Sequence, residues 1–364
     1  MSIEVEFRHR FADFVLEVGF RTDATGITAL FGHSGAGKTT IVNAIAGLFR
    51  PASGRIVVGS RVFFDSEKDI WIPPLHRRVG YVFQDSRLFP HLSVERNLQF
   101  GWRRSAAPVS VEEFFHVVEL LGLQPLLNRK PRTLSGGEQS RVALGRALLA
   151  SPNILLMDEP LAAIDTERRR EILPHLELLR DHSALPIVYV SHSLNEIARL
   201  ADHLVIVKGG RVAASGALFD LITDLRLPEA TGEPPYGAVL ETTVARDLKE
   251  EKLTVLAFAG GELRVPLLLY PEGTRLRTHI RASDVIIACE EPRGISANNV
   301  LPVTILEIRE RTDFHVDVRL LCGTTRLVAW ITHASRERLE LAPGVQVFAI
   351  VKSVSIVPQA RPTG

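Results

Sequence analysis

The residues best suited to chemistry lie in Gly32-His33-Ser34-Gly35-Ala36-Gly37-Lys38-Thr39. Three glycines let the backbone turn tightly and aim successive N–H groups inward, across His33, Ser34 and Ala36. Lys38 can reach the β- and γ-phosphates, Thr39 offers a hydroxyl to Mg²⁺, and Thr40 opens a helix whose positive end faces the same anion. A loop that merely capped a helix would need neither the Lys-Thr pair nor its position after an apolar run. Asp158 and Glu159 close a second apolar run, while Gln84 and His192, the latter in Val190-Ser191-His192, end two more. Asp158 can hold the Mg²⁺ shell through water, and Glu159 can orient or deprotonate an attacking water. Gln84 can ligate the metal or report its presence, and His192 can approach the γ-phosphate. A lone Gln or His would say little, but both end strands on the edge that carries the glycine loop and the carboxylates. The implied chemistry is hydrolysis of a nucleoside triphosphate.

The elements that must position these groups follow from periodicity. Ile3–Arg8 and Phe14–Phe20 alternate at period two and read as antiparallel strands; Phe11 first, and Phe14 second, can stack on a base, the alternative being that both are core residues. Ile27–Phe31 is the strand before the glycine loop, Thr40–Leu48 the helix after it, and Gly54–Phe64 a hairpin turning at Gly59-Ser60. Val79–Phe83 is a strand ending at Gln84. Val94–Gly101, Val111–Leu121 and Gly136–Ala150 are helical and form an inserted subdomain over about 90–150. The sheet resumes with Asn153–Asp158, then helix Thr166–Leu179, strand Ile187–Val190, a helix from Leu194, strand Leu204–Val207 and, after Gly209-Gly210, Arg211–Ala213, a doubly wound α/β pattern. Breaker residues between Pro228 and Pro235 place a boundary, giving a domain over 1–230, a linker and first β segment over 231–294, and a β domain over 295–360. Short strand-like runs from Val239 to Val354 predict an all-β tail.

Composition narrows the function. With 364 residues, 46% hydrophobic, the chain can build two or three cores. Its 43 basic and 42 acidic residues cancel to a net charge of +1, so no global field recruits nucleic acid. Cys289 and Cys322 have neither metal-ligand spacing nor the density of a disulfide scaffold, which fits a reducing compartment. Met1–Arg10 lacks the apolar block of a signal peptide, and no run reaches the roughly 18 apolar residues that a membrane span needs. Membrane association is therefore expected through a partner.

Leu134-Ser135-Gly136-Gly137-Glu138-Gln139, ahead of a helix, resembles the signature motif of ABC transporter ATPases. The glycine loop, Gln84 as the Q-loop glutamine, Asp158, Glu159, the D-loop Leu161-Ala162-Ala163-Ile164-Asp165 and the switch histidine His192 follow in that family's order. The resemblance implies an α/β P-loop NTPase fold (ABC ATPase) with antiparallel β and helical subdomains, followed by a small all-β, OB-like tail. It also implies ATP and Mg²⁺ as cofactors and a head-to-tail dimer in which Ser135, Gly136 and Gly137 meet the nucleotide held by the partner's Lys38. Ala162 stands where a serine is frequent, while Asp165 is retained.

Ile27–Thr40, Leu161–Leu176 and Tyr189–Leu200 are similar to the ATP-binding subunit of molybdate importers. The tail segments Ile295–Leu301, Ile331–Ser335 and Ile350–Val354 resemble those of molybdate-binding Mop (TOBE-like) domains. This implies a peripheral ATPase on the cytoplasmic face of the inner membrane, working with transmembrane permease subunits and an extracytoplasmic molybdate-binding protein, with tungstate as a second substrate and no nucleic-acid partner. Ser296, Thr332, Ser335 and Lys352 could offer a tetrahedral dianion hydroxyls, N–H groups and one positive charge. Asn298 replaces the usual arginine and lacks its guanidinium fork. The alternative for this set is that it caps turns. Rival readings are an importer of sulfate, iron, sugar or polyamine, a soluble ABC protein acting on ribosomes or DNA, and an intracellular oxyanion sensor; one cassette without a coiled-coil insertion disfavours the second, and the intact Glu159 and His192 the third.

Overall fold

The computed structural model describes residues 2–22, 26–103, 109–162, 164, 166–182, 185–227, 237–311, 314–351 and 355–356. Two compact units share the chain, Met1–Ala217 and Leu218–Gly364.

The first unit is built on one 11-stranded sheet. From edge to edge it runs β6 (Ile70–Trp71), β5 (Arg61–Asp65), β4 (Ser53–Val58), β1 (Ile3–Arg10), β2 (Val15–Thr22), β11 (Arg211–Ala217), β10 (His203–Lys208), β3 (Ile27–Phe31), β9 (Ile187–Val190), β8 (Ile154–Asp158) and β7 (Val79–Val82). The strands from β10 through β3, β9 and β8 to β7 are parallel, and those from β2 through β1, β4 and β5 to β6 are antiparallel. β3, β8 and β9 are buried at every position, as expected of strands covered on both faces, whereas β1 and β2 largely alternate. Among the described residues, strand pairing between the two halves runs through the hairpin β10–β11: β10 pairs with β3, and β11 meets β2 through Arg211 and Glu17.

Helix α1 (Lys38–Ala46) follows β3, and the four-residue α2 (Pro74–Arg77) precedes β7. The inserted helices α3 (Val94–Trp102), α4 (Val111–Leu120) and α5 (Gly136–Leu148) each start at a serine whose hydroxyl accepts a backbone N–H three residues on, at Ser93, Ser110 and Ser135. Ser135 and Glu138 complete a reciprocal capping box. α6 (Thr166–His182) continues through Pro174, and α7 (Leu194–Leu200) follows β9.

In the second unit, α8 (Leu218–Leu221) leads to two five-stranded sheets. The first runs β14 (Gly261–Pro266), β13 (Leu253–Phe258), β12 (Gly237–Leu248), β15 (Arg275–Arg281) and β21 (Ser355–Ile356). The second runs β16 (Val285–Ala288), β20 (Gln346–Val351), β17 (Asn299–Glu310), β18 (His315–Cys322) and β19 (Thr325–Thr332). A short helix, α9 (His333–Arg338), follows β19.

Every strand run read from the sequence beyond Val239 has its counterpart here, but the division differs. The compact units separate after Ala217 and not at 230, because Leu218, Ile222 and Leu225 are buried and Leu225 packs with Ala282 and Val328. Residues 237–288 are not a linker with one β segment. They supply five strands, of which β15 pairs with β21 and β16 with β20, and share one apolar core with Leu301 to Val351. Antiparallel pairing let late strands close sheets begun early, which composition along the chain does not reveal.

Candidate active site

β3 ends inside the sheet and releases the chain at Gly32, where a Cβ would lie 2.1 Å from the Val207 carbonyl oxygen, so only glycine fits. Gly37, the residue before α1, has φ +104°. The loop between them lets Lys38 fold back. Its Nζ donates to the carbonyls of Gly32 (2.7 Å) and His33 (3.0 Å) and stands 3.9 Å from Glu159 Oε1. Lys38 is 4% exposed, and burial lowers its pKa while Glu159 and Asp158 oppose the shift.

A cleft of about 440 Å³ opens over this loop. Ser34, Gly35, Gly37, Lys38, Thr39 and Thr40 form its floor. Phe11 and Phe14, from the turn between β1 and β2, form one wall, and Gln84 and Glu159 the other. Phe11 also stacks on Phe49 with centroids 5.6 Å apart, so the cleft and the core share it.

Parallel strands bring the acidic groups to the same edge. Asp158, the last residue of β8, accepts the Thr39 hydroxyl at 3.1 Å. Burial raises its pKa, with the Thr39 hydrogen bond and Lys38 among the opposing influences. Glu159 follows in the left-handed region at φ +46°, which costs a non-glycine residue roughly 1–2 kcal/mol, and its N–H is tied to the Val190 carbonyl at 3.1 Å. That turn sends its carboxylate to both Lys38 and His192, whose Nδ1 is 3.2 Å from Glu159 Oε2. Gln84, just beyond β7, is exposed at the cleft.

Ser135, Gly136 and Gly137 do not line this cleft; they start α5. Asp165 lies outside the described residues, as does Lys352. The oxyanion set does not converge within one chain. Ser296 and Asn298 are exposed just before β17, at the end where Asn299 pairs with Val351. Thr332 pairs with His315, beside the other end of that 12-residue strand, where Glu310 pairs with Val316. Thr332 and Ser335 do meet, but as a helix cap, the Thr332 hydroxyl accepting the Ser335 N–H at 3.2 Å.

Sequence reading missed two contributors. Tyr81 donates to Asn43 Oδ1 at 3.0 Å, and its pKa is pushed up by burial and then by Asp158; a tyrosine one residue before the end of a half-buried strand was the only signal. Arg146 of α5 donates to the carbonyls of Arg87 (2.9 Å) and Ser86 (3.2 Å), fastening the segment after Gln84 to the signature helix. It sits among the small residues of that helix, where a charge is otherwise unexpected.

The ABC transporter family model matches residues 15–162, and the TOBE domain model matches 295–357. The chain is 49% identical over 355 residues to the molybdenum import ATP-binding protein ModC of Mesorhizobium japonicum, covering 98% of this chain and 96% of that one. It is 48% identical to ModC of Rhizobium meliloti, covering 98% and 99%. Among solved structures, a dimeric ATP-binding cassette in a post-hydrolysis state with ADP and Pi aligns with TM-score 0.50 and 26% identity, over 60% of this chain and 99% of that one. By fold, by the motifs gathered at one sheet edge and by full-length similarity, the chain belongs to the ABC transporter ATPases, in the family of the molybdenum import ATP-binding proteins.

Proposed function

We propose that the chain hydrolyses ATP at this cleft to drive molybdate, with tungstate as a second substrate, through separate membrane-spanning permease subunits. The observation that carries the reading is the convergence of Lys38, Thr39, Asp158, Glu159 and His192 in a chain with full-length similarity to molybdenum import proteins. The loop N–H groups and Lys38 bind the β- and γ-phosphates, whose oxygens displace the ammonium from the Gly32 and His33 carbonyls. Phe11 or Phe14 stacks on the base. Glu159, held at a fixed angle by its backbone, orients and deprotonates the attacking water, and His192 reaches the γ-phosphate from the other side of Glu159.

The donor set fits Mg²⁺: the hydroxyl of Thr39 and the amide of Gln84 line the cleft, and the buried carboxylate of Asp158 lies 3.1 Å from that hydroxyl. Bound there, the ion supplies charge neutralisation at the phosphate oxygens.

Because the start of α5 stands apart from the cleft, Ser135, Gly136 and Gly137 serve the nucleotide of a second, head-to-tail copy, with Asp165 at the same junction. A groove of about 670 Å³ lined by Leu92, Arg96, Gln99, Phe100 and Arg103 suits a permease segment with acidic residues. The chain then lies on the cytoplasmic face of the inner membrane, supplied from outside by a molybdate-binding protein. In the tail, the Ser296–Asn298 end and the Thr332–Ser335 end can share an anion only between two copies.

The test is ATP-dependent uptake into vesicles holding the chain, its permease and the binding protein. Accumulation of labelled molybdate, blocked by tungstate and not by sulfate, supports the reading. Transport of sulfate, iron, sugar or polyamine in its place overturns the substrate.

A further inference from the structure

Behind the catalytic edge lies an ion pair that the mechanism above does not use. Glu196, on α7, is 5% exposed. Its Oε2 accepts the hydroxyls of Tyr189 (2.9 Å) and Ser191 (2.8 Å), and its Oε1 stands 3.1 Å from Arg169 Nη1. Ser191 Oγ in turn accepts the Ser193 N–H at 3.0 Å, so the backbone on both sides of His192 is fastened to this carboxylate. The other arm of the Arg169 fork, Nη2, donates to the carbonyls of Leu161 and Ile164, both at 3.3 Å. Those residues form the turn that returns to Glu159, since the Ala162 N–H donates to the Glu159 carbonyl at 3.1 Å and the Ile164 N–H to the Leu161 carbonyl at 3.2 Å.

One guanidinium and one carboxylate therefore grip two turns, one leaving Glu159 and one carrying His192. The side chains these turns present meet at 3.2 Å. The planar fork divides the work between two nitrogens held at a fixed separation, Nη1 facing Glu196 and Nη2 facing the two carbonyls, a span that the single nitrogen of a lysine does not reproduce. The carboxylate is equally constrained, having one oxygen for the fork and one for the two hydroxyls.

We infer that Arg169 and Glu196 are positioning residues for hydrolysis: their ion pair holds the turn after Glu159 and the turn bearing His192 in one register and thereby sets the Glu159–His192 contact. Neither residue touches the cleft, so their effect passes through the two catalytic side chains.

The full-length chain, alone and with its permease, is the material for the test. Glu196→Gln keeps an acceptor for the two hydroxyls and removes the charge; Arg169→Lys keeps the charge and removes the fork. Both are expected to lower kcat by about 10- to 100-fold while the affinity for ATP stays within about threefold, as for misplacement of a catalytic group that does not hold substrate. In a His192→Ala background, Glu196→Gln should cost less than about twofold, because the contact it positions is already gone. A merely structural role would not give that split or that loss of additivity. The inference is overturned by a wild-type kcat in either variant, by kcat and affinity falling together, or by Glu196→Gln costing the same factor with and without His192. If Arg169→Lys does not fold, Glu196→Gln and its pairing with His192→Ala decide the matter alone.

Discussion

The nucleotide cleft and the polar residues of the tail were both assembled from motifs far apart in sequence, yet only the first converges. Parallel strands all release their C-termini at one edge, so β3, β7 and β8 deliver the glycine loop, Gln84 and Glu159 to a single cleft, with Asp158 bonded to Thr39 and His192, after β9, 3.2 Å from Glu159. Successive antiparallel strands alternate direction, so the residues before β17 and those after β19 emerge at opposite ends of the same sheet. Similar spacing in sequence therefore means different things in the two units: a shared site in one, two half-sites in the other.

This contrast can be broken most severely at Glu159. Glu159→Gln should reduce ATP turnover by about 10³-fold while retaining nucleotide, the signature of a group acting on water and not on binding; turnover within tenfold of wild type, by phosphate release, would remove Glu159 from catalysis. Lys38→Ala strikes the same cleft from the binding side. Loss of charge-assisted bonds to two phosphates should weaken ATP affinity by about 100-fold in equilibrium titration, with the fold intact by circular dichroism.

Asp158→Asn sharpens the comparison by separating stability from function. The folded-state pKa of Asp158 is raised by burial, so its favourable contribution is full below the ordinary carboxylate value of 3.8 and is lost as pH rises through the folded value. At pH 8 the charged carboxylate costs stability in the nucleotide-free protein. Asp158→Asn should accordingly melt higher there, with the gain shrinking toward acid pH and ATP turnover lost throughout. A lower Tm at pH 8 would mean that the Thr39 hydrogen bond and Lys38 outweigh burial.

The smallest change is expected in the tail. Thr332→Ala removes a helix cap worth about 1 kcal/mol in the second unit and should leave ATP turnover unchanged. Denaturant unfolding, monitored through Trp330 of the same sheet, measures the first, and a fall in turnover would show that the tail acts on the cleft.

What the sequence made legible follows from range. The strand of residues 27–31, the glycine loop after it and the carboxylate closing β8 are set by neighbours within a few residues, and the structure places them where the pattern does, while the helix begins at Lys38, two residues earlier than the pattern puts it. Positive φ at Glu159 was hidden because nothing in its side chain demands it; the hydrogen bond to Val190, from another strand, imposes it. Arg169 and Glu196 read as ordinary helix surface charges, since their partners lie on other elements. The boundary after Ala217 was masked by a breaker-rich stretch nearby, whereas the packing of Leu225 with Ala282 and Val328 decides it.

The hairpin β10–β11 carries a consequence for the order of events during synthesis. Phe11 and Phe14 belong to the antiparallel half of the sheet, the glycine loop to the parallel half, and among the described residues only 203–217 join the halves through paired strands. A growing chain that has already made both walls of the cleft still lacks the strands that bring them face to face, and β2 and β3 remain open edges. Nucleotide capture is thus a late step, possible only once the last two strands of the unit have left the ribosome. A nascent chain stalled before His203 exposes two unfinished sheets and needs protection from association, and ATP cannot stabilise it until that hairpin has closed.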